Sequence, residues 1–563
     1  MKQKPVNPQE VLDNFYAQNY KKALDQLLIL IKTDSLNVQY KQFIGVCYLN
    51  TYSNQQKAIP YLEFVVKQKK FDIYALYDLG LVYMHCHRFD DAIVTFKRFM
   101  EERKGKEVNS ISAEREIEMC KNALELIKKP LNVKFENLGQ LINSPFPDIN
   151  PLINSDETML VFTSRRQGNT GNMIDNDGFY TPDIYISEFK NNSWDKAKKI
   201  SGGINTPYTE QSVGLSPNAD MLFLCIDDVN KKYKVLVSTK KGKSFVRPES
   251  LGENLYANSN MTGACTSKDN KTLFFSSDKS GGSGGKDIYI SKKLPSGEWS
   301  TPKNAGDMIN TEFDEDFPAI STNNETLFFA STGHNSMGGY DVFKAIWNKE
   351  DDTFSAPENI GYPLNDTYDN KIISFTRSGR YAYFATNRID AIGDLDVYRA
   401  IFNDVKFKEC IFKGTILGKD TENIFSILRN RLYELQSSID SLAKIYDSLT
   451  KAFKPAKKKP VNNDSTYINM GNILRQYKNE IIGIRDSFYV YLTVSDKRKP
   501  NTNKSLYRPN QFTGKFIIPF EPGEYTIKLE TKGYLPFIKD IIINDNEAQI
   551  RLVEEDIHLQ KKN

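Results

Sequence analysis

Hydrophobic residues follow three different periods along the chain. Up to about Lys128 they recur every three to four positions, the spacing of amphipathic helices. From Leu131 to Phe402 they come in short runs such as ETLFFAS (residues 325–331) and DIYIS (287–291). These runs are rich in aromatic and β-branched residues and are separated by Gly, Asn, Asp and Ser, which predicts strands and turns. Beyond residue 403 short strand-like runs flank a long stretch, 424–449. There Ile424, Leu428, Leu432, Leu435, Ile439, Leu442, Tyr446 and Leu449 fall at alternating gaps of three and four, a heptad pattern.

The middle region repeats itself five times. Segments 135–143 (FENLGQLIN), 199–205 (KISGGIN), 250–256 (SLGENLY), 304–310 (NAGDMIN) and 359–365 (NIGYPLN) each precede a polar link, a strand pair and a charged turn. A period of about 50–62 residues marks an array of structural repeats. Asn143, Asn205, Asn310 and Asn365 end four of the five segments. A GG-x-D turn supplies Asp287 and Asp341, with looser counterparts at Asp183 and Asp396. Glycine gives the positive φ such a turn requires, and the Asp is expected to cap the turn through the backbone. Four short strands cannot bury both faces alone, whereas five sheets packed radially can; the region therefore reads as a five-bladed β-propeller. Its first segment lacks preceding strands and its last unit lacks a following segment. That offset predicts that residues 132–137 complete the final blade. The repeats resemble the WD-repeat-like propellers of TolB-type periplasmic proteins, a resemblance of fold that implies no chemistry.

Within the helical region, Leu79, Gly80, Tyr83, Ala92 and Phe96 place a small residue where two helices cross, with large ones beside it. Gly45, Tyr48, Ala58 and Leu62 repeat the pattern, and Ala23 and Leu27 give a degenerate first copy. This spacing resembles the tetratricopeptide repeat, which implies a short solenoid over residues 1–130, capped by a helix over 112–128. Such a solenoid has a concave face suited to a peptide or a partner helix; a mere spacer is the plainer alternative.

After residue 403, GKFIIPFEPGEYTIKLETKGYLPF (514–537) closely resembles carboxypeptidase regulatory-like domains, small β-sandwiches. Tyr525 and Ile527 are assigned to one side, Pro522 and Gly523 to a turn, and Gly533 and Tyr534 to the next turn. The domain spans 404–556 and is interrupted by an antiparallel helical hairpin over 424–487. The second helix starts near Tyr467 and carries Met470, Ile473, Tyr477, Ile481 and Ile484. A basic loop (451–463) tips the hairpin, most simply as solvated chain, and residues 557–563 form a polar tail. The fold class is thus multidomain α + β.

Composition narrows the function. A net charge of +4 in 563 residues gives no footprint for nucleic acid. No run of about 18 apolar residues predicts a transmembrane helix. Residues 1–9 hold no apolar signal core, so the chain reads as cytoplasmic or as a mature form without its leader. The six cysteines are scattered, without C-x-x-C, and fit buried apolar positions better than a disulfide framework. The four histidines are His85, His87, His334 and His558; His85 and His87, two apart on a helix, face different ways. Asp175, Asn176, Asp177 and Gly178 look like the start of a calcium loop but lack its closing Glu, and read as a solvated turn. No zinc-protease, nucleophile-elbow or phosphate-loop motif occurs. No catalytic, cofactor-binding or metal-binding residue is assigned, and no cofactor is expected.

The order of solenoid, propeller and regulatory-like domain resembles the PorE-like type IX secretion proteins of the Bacteroidetes. That resemblance implies a non-catalytic periplasmic scaffold near the outer membrane, in secretion or gliding motility, holding envelope proteins through the solenoid groove and propeller faces. The family continues into an OmpA-like peptidoglycan-binding domain that this sequence does not contain, so wall binding is not carried over; the inserted hairpin is a second departure. The alternative is a cell-envelope carbohydrate- or peptide-binding module using the propeller mouth.

Overall fold

The computed structural model describes residues 6–51, 54–105, 109, 111–190, 193–227, 232–256, 259–405, 410–418, 424–452, 465–487, 490–497, 504–510, 513–520, 523–531, 534–543 and 552–560. The chain divides into two compact units, Met1–Val405 and Lys406–Asn563.

The first unit opens with seven helices: α1 (Pro8–Tyr16), α2 (Tyr20–Leu30), α3 (Val38–Asn50), α4 (Ala58–Val66), α5 (Tyr74–His85), α6 (Phe89–Glu102) and α7 (Ala113–Leu126). Asn7, Asn19, Asn37 and Ser112 start α1, α2, α3 and α7, each side chain accepting a hydrogen bond from a first-turn N–H. Gly80 lies where α5 meets α6: a Cβ there would sit 2.6 Å from the Phe96 ring. Gly45 stands in the same relation to Leu62, a Cβ falling 2.5 Å from that side chain. Leu79, Tyr83, Ala92 and Phe96 are all buried in one core, and the Tyr83 hydroxyl donates to Glu63 Oε1 at 2.8 Å.

Five antiparallel sheets follow in a propeller-like array. The first holds Asp148–Ile153, Met159–Ser164, Asp183–Lys190 and Ser193–Trp194; the second Glu210–Leu215, Met221–Asp227, Tyr233–Lys241 and Ser244–Phe245. The third is built from Met261–Thr266, Thr272–Ser277, Asp287–Lys292 and Lys303–Asn304, the fourth from Glu315–Ile320, Thr326–Ser331, Asp341–Asn348 and Thr353–Phe354. The fifth takes Ile373–Phe375, Tyr381–Thr386 and Asp396–Phe402, and its fourth strand is Val133–Asn137 from before the first sheet. The offset in the repeats predicts this closure. Arg399 reinforces it by pairing with Glu136 of the closing strand at 2.6 Å and Glu157 of the first sheet at 3.3 Å.

Each sheet's first strand faces its neighbour's. The Ser212 hydroxyl donates to the Asn150 carbonyl at 2.9 Å. A Cβ on Gly214 would overlap the Ala264 carbonyl, and one on Gly263 would lie 2.8 Å from Phe317 Cα. Phe328 and Phe375 stack at 4.6 Å, and the Ile153 N–H donates to Ser374 Oγ at 3.0 Å. Fully buried phenylalanines, among them Phe162, Phe223, Phe274 and Phe329, fill the sheets from their second strands.

In the second unit, the strands Cys410–Gly418, Lys515–Phe520, Leu552–Glu554 and Ile557–Leu559 form one sheet. Tyr491–Asp496, Ser505–Tyr507, Gly523–Glu530 and Phe537–Ile543 form another. Phe412 and Ile518 of one and Leu492 and Ile527 of the other share a single core. The polar tail assigned to 557–563 is corrected: Ile557–Leu559 pairs in parallel with Ile416–Gly418. Alternation explains it, since Ile557 and Leu559 point into the core while His558 between them is exposed. Between the first strands of the two sheets stand the helices Ile424–Ala452 and Ser465–Ser487, with Leu435, Ile439 and Met470 buried. The side chains of Ile424, Leu428, Leu449 and Ile484 and most of the basic loop lie outside the described residues, as do Pro522 and Gly533.

Candidate functional site

The Asn and Asp positions picked out by the repeat make one hydrogen-bonded device, built four times. Asn310 Oδ1 accepts from the Ile288 N–H at 2.8 Å while its Nδ2 donates to the Ile288 carbonyl at 2.9 Å. Asn205 does the same with Ile184, Asn365 with Val342, and Asn143 with Val397. One carboxamide thus stands in for a missing strand partner on the third strand of four of the five sheets. The preceding Asp caps its own turn: Asp287 accepts from the Ser283 and Gly284 N–H groups, Asp341 from Met337, Asp396 from Ile392 and Asp183 from Thr170. A second Asn ties the two together. Asn304 donates to Asp287, Asn359 to Asp341 and Asn137 to Asp396, each at 2.7 Å; in the first sheet Lys199 takes this place, 3.4 Å from Asp183. The second sheet replaces the Asn with Tyr256, whose hydroxyl donates to the Val235 carbonyl at 2.8 Å.

A further recurrent pair escaped the sequence reading. The residue after the Asn bonds an acid four positions on. Ser144 N–H and Oγ donate to Asp148, Thr311 N–H and Oγ1 to Glu315, and Thr206 N–H and Oγ1 to Glu210. The signal, N-[ST]-x-x-x-[DE], is visible in three repeats once the segments are aligned on their Asn. Burial pushes the Glu210 and Glu315 carboxyls up to about 7, against the lowering effect of these hydrogen bonds.

The other candidates resolve into structure. Arg165 fills the calcium-like loop, its guanidinium 2.8 Å from Asp175 and 2.5 Å from Asp177. His334 Nε2 bonds the Ile309 carbonyl at 2.9 Å beside Phe329 and Phe343. Among the described residues the cysteines form no disulfide; burial pushes the thiols of Cys47, Cys120, Cys225 and Cys265 up to about 12. Among the described residues no group of three metal-ligating side chains converges, and no helix is long and apolar enough to cross a membrane.

Residues far apart in sequence meet where the helices lie against the sheets. Arg115 of α7 is buried, and its guanidinium donates to the carbonyls of Thr332 (2.8 Å) and His334 (3.0 Å) and to Ser336 Oγ (3.0 Å). It also pairs with Glu118 at 2.6 Å and stacks over Phe313. Asn122 donates to the Ser336 carbonyl, and Met337 joins the helical core. On α5, the His85 ring lies on Tyr368 and its Nδ1 is 3.1 Å from Thr367 Oγ1. Burial pushes His85 down to about 4, with Asp369 opposing. The imidazole–hydroxyl contact joins positions that sequence spacing does not connect. Thr367 is 1 % exposed, which closes its hydroxyl off from solvent. Parts of α5 and α7 are thus buried against loops of the sheets.

Two cavities flank Tyr368 and Asp369. One, of about 420 Å³, lies between α3, α5 and the fourth and fifth sheets, against Leu81, Met84 and Gly339. The other, of about 380 Å³, lies at the mouth of the array under Gln55.

No protein-family model matches the chain, and no curated protein matches it. Solved structures similar to it include a putative TolB from Agrobacterium tumefaciens, 17 % identical over 48 % of this chain and 84 % of that one, with a TM-score of 0.30. TolB from Acinetobacter baumannii is 9 % identical over 46 % and 54 %, TM-score 0.25. Bacteroides ovatus xyloglucan PUL GH43B is 10 % identical over 48 % and 57 %, TM-score 0.30.

Proposed function

We propose that this chain is a non-catalytic scaffold that acts by holding other proteins. In this reading the helices are a tetratricopeptide solenoid, the five sheets are the blades of a five-bladed propeller, and the second unit is a regulatory-like β-sandwich carrying a helical hairpin. The observation that carries the reading is the docking of α5 and α7 on the sheet loops. Arg115 spends its guanidinium on three acceptors of those loops and on its neighbour Glu118. Helices and sheets thereby present their remaining surfaces at fixed relative positions, which suits assembly. The polar residues that recur from blade to blade are consumed inside the blades, which suits a framework better than an active site. The resemblance to the PorE-like proteins supports a periplasmic place near the outer membrane, in secretion or gliding.

Crosslinking in the native cell, affinity recovery of the chain and mass spectrometry test this. Recovery of cell-envelope proteins is the expected result. Recovery of cytosolic proteins alone rejects the periplasmic scaffold.

A further inference from the structure

The mouth of the sheet array carries an observation that the scaffold reading does not use. The cavity there, about 380 Å³, falls within the roughly 300–1,000 Å³ of small-molecule sites. It is roofed by Gln55, from the turn between α3 and α4. Gln55 is 9 % exposed, and its Nε2 meets no hydrogen-bond partner among the described residues. A buried amide N–H₂ left without an acceptor is destabilising. Four more carboxamides line the same cavity: Asn370 and Asn387 are hydrogen-bonded to Asp366 and to the Asp394 carbonyl, and Asn150 and Gln211 come from the first strands of the first and second sheets. Neither of the latter two side chains makes a hydrogen bond to a described residue. The charged groups at the mouth, by contrast, have partners. Asp369 pairs with Lys371 at 2.7 Å, and Asp366 accepts from the Tyr368 N–H at 2.9 Å.

We infer that this roofed mouth binds a small neutral polyhydroxylated ligand, a mono- or disaccharide. Each carboxamide offers a donor and an acceptor on adjacent atoms, the pattern that vicinal hydroxyls match. Among the described residues no unpaired charge lines the site to favour an ionic ligand. Apolar wall contributed by Ile149 and Phe384 suits the C–H faces of a sugar ring. The Gln55 roof bounds the space from above, which favours a compact solute over an extended peptide. The site does not depend on the scaffold reading: either stands if the other fails.

Isothermal titration calorimetry of the full chain against glucose, galactose, N-acetylglucosamine, maltose and cellobiose tests it, with glucuronate and tri-alanine as contrasts. The expected result is saturable binding of at least one neutral sugar, weakened tenfold or more in both Gln55→Leu and Gln211→Leu. Gln55→Leu removes an unsatisfied amide, so its melting temperature should equal or exceed that of the parent and folding is not the confounder. Absence of saturable binding by every neutral sugar up to about 20 mM overturns the inference. So does tighter binding of tri-alanine or glucuronate, or binding that both variants leave unchanged. Failure here leaves recovery of envelope proteins by crosslinking unaffected, which separates the two readings.

Discussion

His85 and Tyr368 lie face to face, ring centroids 4.2 Å apart and planes 10° apart, although 282 positions separate His85 from the neighbouring Thr367 that it also contacts. The buried imidazole in this stack is neutral near pH 7. Burial holds the folded pKa at about 4, below the ordinary 6.5. A histidine whose folded pKa is lowered contributes stability that is complete above its unfolded value and is lost as pH falls towards the folded one. The helical docking should therefore weaken between pH 6.5 and 4. His85→Phe keeps an aromatic partner for Tyr368 and removes the titration. Thermal melts across that window should fall less steeply in the variant; parallel slopes would show that His85 does not govern the contact.

Glu210 and Glu315 should give the opposite slope. Their folded pKa values of about 7 exceed the ordinary 4.5 because burial disfavours the carboxylate. A carboxyl raised in this way stabilises the fold fully below its unfolded value, and that contribution disappears as pH climbs through about 7. Replacing both with Gln keeps an acceptor for the Thr206 and Thr311 N–H groups and abolishes the charge. The double variant should lose less melting temperature than the parent between pH 5 and 8, and should be the more stable of the two at pH 8.

Much of this architecture was legible because it repeats. Asn143, Asn205, Asn310 and Asn365 stand at one place in four units, and a polar residue recurring in a strand array has a backbone job. The second sheet was harder to read, since Tyr256 reaches the Val235 carbonyl with a hydroxyl where its counterparts use an amide. Acids such as Glu315 stood out at the starts of the repeats, but the bonds of Asp148, Glu210 and Glu315 to the residue after the Asn were hidden by variation in side-chain length within one role. The meeting of α5 and α7 with the sheets left no mark in local pattern. Arg115 sits in a charged helical stretch and looks like any solvated arginine, yet its acceptors lie more than 200 positions away. Periodicity reports which face of an element is buried, not which element covers it. Ile557 and Leu559 were lost for a related reason: three alternating residues at the edge of a polar segment are too few to read as a strand.

Two glycines in helices should respond with opposite signs to the same change. At Gly80 an added Cβ would sit 2.6 Å from the Phe96 ring, closer than atoms tolerate, and both helices are held by their shared core. Gly80→Ala should cost about 2 kcal/mol, and Phe96→Leu in the same chain should return part of it. At Gly471 in the helix Ser465–Ser487 an added Cβ meets nothing within 4 Å. Gly471→Ala should stabilise that helix by roughly 0.5–1 kcal/mol through helix propensity and the entropy of the unfolded chain. Chemical denaturation of each variant checks both signs; a stabilised Gly80→Ala would show that the α5–α6 crossing is looser than its geometry.

Arg115 decides whether the helices and sheets of the first unit unfold together. Its guanidinium satisfies the Thr332 and His334 carbonyls and Ser336 Oγ at once, in a buried setting where water cannot replace it. Arg115→Met keeps the stem and removes every guanidinium donor, leaving the His334 carbonyl unpaired and the Thr332 carbonyl with the Ser336 hydroxyl alone, and should cost about 3 kcal/mol. Arg115→Lys keeps the charge without the planar fork and should recover less than half of that. The readouts separate naturally. The three tryptophans, Trp194, Trp299 and Trp347, all belong to the sheet region, so their fluorescence follows the sheets, while far-ultraviolet dichroism is weighted to helix. In the parent, the dichroism lost from α1–α7 should coincide with the fluorescence change in one urea transition, the helices Ile424–Ala452 and Ser465–Ser487 of the second unit giving a contribution that the Arg115 variants leave unchanged. In Arg115→Met the helical signal should fall at lower urea than the fluorescence. Coincident transitions in the variant would mean that Met337 and the His85–Tyr368 stack suffice to couple the two parts without the arginine.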